Sequence, residues 1–183
     1  MPLICCTKKL QTEMGLKAND LADLNTDFAN SDLLGNWHAN LIKIGRYKCV
    51  LFTNDKTLFN FIVTGVKKAQ LNQLDKLFKH HLQCVLAAEG MTSAQCEQIL
   101  HEYPTIAFAK TYSRRVIGAM NDLAFHYTMH IQDEGGVNHC LLPPIISKLN
   151  RMPMKGLGYN YPFNALFSLY KLEAPKASGA NIV

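Results

Sequence analysis

The segment from residue 37 to residue 53 predicts a β-hairpin, and this hairpin constrains the fold more than any other feature of the sequence. Two runs rich in apolar and β-branched residues, WHANLIKI and YKCVLFT, are separated only by Gly45 and Arg46. Gly45 tolerates the positive φ that a two-residue type II′ turn requires at its first position. A further strand, predicted over residues 58–63, extends the hairpin to an antiparallel meander.

Hydrophobic periodicity and capping residues predict the remaining elements. The predicted helices cover residues 67–88, 93–101, 114–132, 144–149 and 162–170. Further strands are predicted over residues 3–6 and 105–110, with a loop or short helical turns over 17–32 and an ordered loop over 151–161. This order predicts a single α+β domain over residues 1–172, in which a small antiparallel sheet packs against several helices. Residues 173–183 are expected to form a flexible C-terminal tail.

Composition narrows the class of protein. A hydrophobic fraction of 48% and a charged fraction of 18% over 183 residues are ordinary for a soluble globular domain. No apolar run approaches the roughly 20 residues that a membrane helix needs, and the start of the chain lacks the features of a secretory signal. The six cysteines include no Cys-x-x-Cys pair. We therefore expect a cytoplasmic protein with reduced, buried thiols, no membrane partner and no cofactor.

The hairpin turn carries the first cluster of basic residues. The predicted register places Lys43 opposite Lys48, with Arg46 in the turn between them, and like charges facing each other across strands are destabilising. A bound anion would relieve this repulsion. The alternative is that the three side chains extend into water, where salt screens them. The net charge of +5 permits a nucleic-acid or phosphate partner without requiring one.

The start of the predicted helix over residues 114–132 carries the second basic cluster. Ser113 is a suitable N-cap, and Arg114 and Arg115 follow it. Cations at a helix N-terminus oppose the helix dipole, whereas the free N–H groups there attract anions. Either a bound anion or a structural salt bridge, such as that of Arg115 with Asp122, would compensate these arginines.

One face of the same helix collects groups that are useful for catalysis. Arg115, Asp122, His126 and His130 fall within roughly 80° of one another around the helix axis. In one cleft, His126 would serve as a general acid or base and Arg115 would stabilise an anionic transition state. Asp122, His126 and His130 are also candidate metal ligands, but they extend over about 12 Å of helix and do not reach one ion without a bend. We predict no metal site, and a solvated polar face is the simplest interpretation.

Five ungapped segments of mixed residue types carry a family resemblance. They are LGNWHANL at 34–41, CVLFTN at 49–54 with Thr57 and Leu58, RVIGAMNDLAF at 115–125, CTKKL at 6–10 and GLGY at 156–159. Together they resemble an uncharacterised family of small bacterial domains of unknown function. The resemblance covers residues 3–170 and implies no activity, cofactor or catalytic residue. It directs attention to Trp37, Asn54, Arg115, Asn121 and Asp122.

The leading hypothesis is a regulatory domain that binds an anionic partner, either nucleic acid or a nucleotide phosphate. The anion-binding residues would be Lys43, Arg46, Lys48, Arg114 and Arg115. This hypothesis requires the two basic clusters to share one concave surface.

Two alternatives stay open. One is a hydrolase or nuclease-like enzyme that uses Asp122, His126 and Arg115 in one cleft. The other is a non-catalytic protein-interaction module, for which a homo-oligomer is one arrangement. The sequence has no Gly-x-Ser-x-Gly elbow, phosphate-binding loop or dinucleotide glycine motif that would name a reaction.

Overall fold

The computed structural model describes residues 1–24 and 33–173, which form a five-stranded mixed sheet with seven α-helices. The strands are β1 (Leu3–Cys6), β2 (Trp37–Ile44), β3 (Tyr47–Asn54), β4 (Asn60–Val63) and β5 (Ala107–Lys110). The helices are α1 (Lys8–Met14), α2 (Lys68–Leu71), α3 (Leu74–Ala88), α4 (Ser93–Leu100), α5 (Arg114–Asp133), α6 (Leu142–Leu149) and α7 (Pro162–Leu169). The α+β fold class is therefore confirmed.

The predicted hairpin and meander are confirmed. β2 pairs antiparallel with β3, with Lys43 opposite Lys48, and Gly45 adopts a φ of 58° in the two-residue turn. β4 then pairs antiparallel with β3. The hydrophobic pattern fixes this register, because a shift by one residue would move every side chain to the opposite face of the sheet.

β1 extends the meander with parallel pairing. It lies between β2 and β5, and Ile4 faces Trp37 on one side and Phe108 on the other. The strand order is β4-β3-β2-β1-β5, so the sheet is mixed, whereas only its antiparallel part was expected. Parallel neighbours need long connections, and α1 lies in the connection from β1 to β2.

Neighbouring residues on the strands show which helix covers which face. The Trp37 ring packs on Phe61 of β4 and on Phe78 of α3, with centroid distances of 5.6 and 5.2 Å. Asn60, the neighbour of Phe61, instead accepts a hydrogen bond from Tyr127 of α5 at 2.7 Å. Because successive side chains of a strand point to opposite faces, α3 covers one face of the sheet and α5 covers the other.

Two buried polar contacts hold this core together. Trp37 is fully buried, and its indole N–H donates to the Tyr103 hydroxyl at 2.9 Å. Asn150, after α6, accepts from the Asn60 backbone N–H at 2.9 Å and donates to the Asn60 carbonyl at 2.7 Å. The Asn150 amide thereby takes the place of a missing sheet neighbour, because β4 is an edge strand.

The structure corrects two helix predictions. The single helix predicted over residues 67–88 is divided into α2 and α3, with Asn72 and Gln73 between them. Residues 8–14, for which no element was predicted, form α1, and Gly15 ends it with a φ of 75°. Residues 25–32 of the predicted loop, and all of the predicted tail except Glu173, lie outside the described residues.

The cysteines are free, and most are buried as expected. Cys84 is an exception because its side chain is exposed on α3, and Cys140 is half-buried. In the two described ranges, no helix combines the length and the apolar character needed to cross a membrane.

Candidate functional site

An open cleft of about 890 Å³ lies between α5 and the segment of residues 152–159, here named the 152–159 loop. One face of α5 forms the first wall, with Arg115, Gly118, Ala119, Asp122 and His126 at helical spacing. A methyl group added at Gly118 would meet no atom within 4 Å, so the middle of this wall is open. The polar stripe of α5 therefore faces a concave surface.

The 152–159 loop forms the second wall. Met154 is buried, its N–H donates to the carbonyl of Asn160 at 3.1 Å, and its carbonyl accepts from the N–H of Tyr159 at 2.9 Å. Lys155–Leu157 form a short 3₁₀ turn between these contacts. The loop is closed by its own hydrogen bonds, and it presents the exposed Lys155 to the cleft.

Arg115 connects the two walls to the sheet. Its Nη1 donates to the Gly156 carbonyl at 3.1 Å, and its Nη2 donates to the carbonyl of Asp55 in the β3–β4 turn. The alternative pairing of Arg115 with Asp122 is absent, since the two residues lie roughly 10 Å apart along the helix axis. Among the described residues, Arg114, Arg115 and Lys155 form no ion pair. This end of the cleft therefore carries uncompensated positive charge.

The cleft contains two of the three non-glycine residues that have a positive φ in the described chain. Leu58 has a φ of 54° and Tyr159 a φ of 65°, and the third is Lys171. A left-handed backbone at a residue other than glycine costs on the order of 1–3 kcal/mol, and such residues concentrate at functional sites. Leucine and tyrosine rarely adopt a left-handed backbone, so the residue types of Leu58 and Tyr159 did not predict this conformation. The sequence signals were the family resemblance at Thr57 and Leu58 and at the GLGY segment.

Asp122 and His126 line the cleft one helical turn apart, about 10 and about 16 Å from Arg115 along the helix axis, together with Asn121. Within residues 1–24 and 33–173, none of these three side chains makes a hydrogen bond. The enzyme hypothesis requires Arg115, Asp122 and His126 to border one cleft, and the structure places them there. His130 lies outside it. No group of three His, Cys, Asp or Glu side chains in the described ranges is arranged to hold a metal ion.

The basic hairpin turn borders a different depression. Arg46 and Lys48 line a hollow of about 500 Å³ together with Asn138, which follows the C-terminal end of α5. Arg114 and Arg115 lie in the first turn of α5, about 30 Å away along a helix of 20 residues. The expectation that the two basic clusters share one concave surface is therefore wrong.

An internal carboxylate already compensates the lysine pair of the hairpin. The Glu13 side chain of α1 forms an ion pair with Lys48, and the Glu13 backbone carbonyl accepts from Lys68. The hydrogen bond from Lys48, together with the nearby charges of Lys48, Lys68 and Lys43, lowers the pKa of Glu13. The repulsion between Lys43 and Lys48 thus needs no external anion.

A buried polar cluster adjoins the β3–β4 turn. His38 of β2 is fully buried, and neither of its ring nitrogens has a hydrogen-bond partner within the described ranges. Its Nε2 lies 3.8 Å from the Asp55 carboxylate. Burial lowers the pKa of His38 to about 4, with the Asp55 charge opposing this shift and the Arg115 charge adding to it. His38 is therefore neutral at physiological pH.

Tyr112 and Cys5 complete this cluster. The Tyr112 hydroxyl donates to the Asp55 carboxylate at 2.7 Å, and burial is the main cause of the raised pKa of Tyr112. Cys5 of β1 lies beside His38 of the neighbouring strand β2, and burial raises the pKa of the Cys5 thiol to about 12. A thiol with this pKa is not a nucleophile at neutral pH, so Cys5 and His38 do not form a reactive pair.

Comparison with known proteins gives one match. A family model described as Domain of unknown function (DUF6933) matches residues 3–165. Neither the curated proteins nor the solved structures include a match. The matched range begins at β1 and contains every residue that lines the cleft. The chain therefore belongs to the DUF6933 family, whose description assigns no function.

Proposed function

We propose that this protein binds a small phosphate-bearing ligand, a nucleotide, in the cleft between α5 and the 152–159 loop. The observation that carries the proposal is the positive charge of Arg114, Arg115 and Lys155 at one end of that cleft, without a carboxylate partner in the described chain. Guanidinium groups donate paired hydrogen bonds to phosphate oxygens. The free N–H groups in the first turn of α5 add to this attraction.

The rest of the cleft suits a nucleoside. Small-molecule sites are mainly apolar with a few polar groups that fix orientation, and the apolar side chains lining this cleft include Leu58, Leu123, Met152 and Met154. Tyr159, at 68% exposure, offers an aromatic ring on which a base can stack. Asn121 and Asp122 supply hydrogen-bonding groups for a sugar or base. Both are poor helix formers in mid-helix, so contact with a ligand would explain their presence.

A nucleotide is favoured over nucleic acid because the basic residues do not form a continuous stripe. Nucleic-acid binding proteins concentrate cations along one face that follows the backbone. Here the hairpin cluster lies at the far end of α5, and Glu13 compensates Lys48. A regulatory role and a cytoplasmic location remain part of this proposal, and the free cysteines are what a reducing compartment maintains.

Calorimetric titration with AMP, adenosine, inorganic phosphate and a single-stranded oligonucleotide tests the proposal. We expect AMP to bind more tightly than either adenosine or phosphate alone, because it occupies both the cationic end and the apolar part of the cleft. Arg114→Gln and Lys155→Gln should each weaken AMP binding about tenfold, the loss of one charge-assisted hydrogen bond.

Arg46→Gln is the matched control, since it removes an exposed cation from the other depression. AMP affinity should be unchanged in this variant. Failure of AMP to bind at millimolar concentration contradicts the proposal. If the oligonucleotide binds tightly and Arg46→Gln weakens that binding as much as Arg114→Gln, the ligand is nucleic acid on an extended surface.

Phosphoester hydrolysis is a second candidate, favoured by the position of Asp122 and His126 in the same cleft as Arg115. Water would attack the phosphorus and the alcohol would leave as its P–O bond breaks, while His126 would accept the proton of that water and Asp122 would orient the imidazole from one turn earlier. Turnover of p-nitrophenyl phosphate or bis-p-nitrophenyl phosphate tests this candidate.

His126→Gln should lower kcat by at least about 100-fold, the typical contribution of a general acid or base. AMP affinity should change little. His130→Gln, on the same helix but outside the cleft, is the control and should retain full turnover. If the wild-type protein binds AMP but turns over neither ester, the hydrolase candidate is wrong and the binding proposal stands.

A further inference from the structure

We infer that Arg115 is a positioning residue, which ties the 152–159 loop to the β3–β4 turn and so sets the width of the cleft. In this arrangement, Arg114 and Lys155 are the cations that contact the ligand. The ligand-binding part of this inference rests on the proposed function, whereas the tie itself is a property of the unliganded protein.

The hydrogen bonds of Arg115 favour this role. The two terminal nitrogens donate to the carbonyls of Gly156 and Asp55, which belong to segments that are distant in sequence. A guanidinium offers five N–H donors in a fixed plane, so it can serve two acceptors on different sides at once. The ammonium of a lysine is a compact group without this fork. Charge alone is therefore not sufficient at position 115.

Gly156 shows that the loop packs directly on the Arg115 side chain. A Cβ atom at position 156 would lie 3.0 Å from Cγ of Arg115 and 3.1 Å from Cδ1 of Leu58. Both distances are shorter than ordinary van der Waals contact, so a side chain there requires the loop, Arg115 or Leu58 to shift by a few tenths of an ångström. Gly156 is not among the glycines with positive φ. Replacement by alanine therefore perturbs this packing without forcing an unfavourable backbone.

The β3–β4 turn is a rigid anchor for the tie. The Asn54 side-chain oxygen accepts hydrogen bonds from the N–H groups of Lys56 and Thr57 at 3.0 and 2.9 Å, which closes the turn. The Asn54 amide also donates to the Leu34 carbonyl at 2.9 Å. The Tyr112 hydroxyl donates a hydrogen bond to the Asp55 carboxylate. Because these hydrogen bonds fix the turn, the bonds of Arg115 to the turn and to the loop fix the position of the loop relative to the turn.

The test compares charge-preserving variants in AMP titrations. Arg115→Lys should weaken AMP binding at least about tenfold although the charge is retained, because one ammonium cannot replace the fork. Gly156→Ala should weaken binding to a similar degree although it removes no charge. Arg114→Lys should weaken AMP binding less than Arg114→Gln does, because the retained charge still contacts the phosphate although the paired hydrogen bonds are lost.

The salt dependence of AMP binding separates positioning from direct contact. A cation that contacts phosphate contributes to the salt dependence of the Kd, so Arg114→Gln should reduce that dependence. Arg115→Lys and Gly156→Ala should leave it unchanged while they weaken binding. If Arg115→Lys binds AMP like the wild type and Arg115→Gln reduces the salt dependence as Arg114→Gln does, Arg115 is a direct contact and the inference is overturned.

Hydrogen exchange of the unliganded protein tests the tie without any ligand. Arg115→Lys and Gly156→Ala should accelerate exchange at the amides of Leu157 and Tyr159, which donate within the loop. Amides of β2 and β3 should exchange as in the wild type, which also shows that the variants fold. Unchanged exchange in the loop overturns the inference. If these variants exchange faster in the loop but the wild-type protein binds no AMP, the positioning role of Arg115 is supported and the proposed nucleotide binding is wrong.

Discussion

Acidification should destabilise the protein through His38. The side chain is fully buried, and its pKa is lowered from 6.5 to about 4. Between these two values the unfolded chain binds a proton that the folded chain does not, so the free energy of unfolding falls as the pH decreases. One pKa unit corresponds to about 1.4 kcal/mol. His38 should therefore remove about 2 kcal/mol at pH 5 and about 3 kcal/mol below pH 4, with no loss above pH 7.

The contribution of His38 to the pH dependence of stability is measured by urea denaturation at pH 7.5 and at pH 5. The wild type is compared with His38→Gln. The variant cannot titrate at position 38, so its free energy of unfolding should change less between the two pH values, by about 2 kcal/mol. Other titrating groups cancel in this comparison, and His101→Gln controls for the loss of an exposed histidine. Parallel pH dependence in the wild type and in His38→Gln would refute the reasoning, because His38 would then be protonated in the folded state or accessible to water.

Three further substitutions test the packing described above. Asn150→Ala leaves the backbone N–H and carbonyl of Asn60 unpaired in the core, and it should cost about 3 kcal/mol in urea denaturation; a loss below about 1 kcal/mol would mean that water replaces the amide. Trp37→Ala should cost about 3–5 kcal/mol by the same measurement, and a smaller loss would show that the surrounding rings close the cavity. Glu13→Gln should lower the Tm at low salt, and the difference should vanish near 1 M salt, where the pair with Lys48 is screened; a difference that persists there would contradict an electrostatic cause.

The sequence predicted the elements whose determinants are local. The register of the hairpin follows from the Gly45 turn and from alternating burial, and the Thr92 capping box marks the start of α4. α1 was missed because Leu10 and Gln11 are its only buried residues, too few to establish a helical period. The break between α2 and α3 was missed because Leu71 and Leu74 are both buried, so the hydrophobic spacing continues through it.

The candidate site was predicted only on its helical side. The stripe of Arg115, Asp122 and His126 follows from helix geometry, and the structure places it in the cleft. The facing 152–159 loop and Leu58 come from distant segments, and no local pattern indicates that they meet α5. The separation of the two basic clusters depends on how α5 lies across the sheet, which is likewise a matter of tertiary structure.

The interior position of β1 has a consequence for how the chain reaches its native state. Leu3 is synthesised long before its ladder neighbour Ala107, because β2, β3, β4 and the four helices α1 to α4 lie between them in the chain. Until then one side of the first strand has no partner, and closing so long a loop slows assembly. Refolding should therefore be limited by the arrival of β5 beside β1. Changes in the Leu3–Cys6 strand should affect the yield of native protein more than changes of similar size in the hairpin turn.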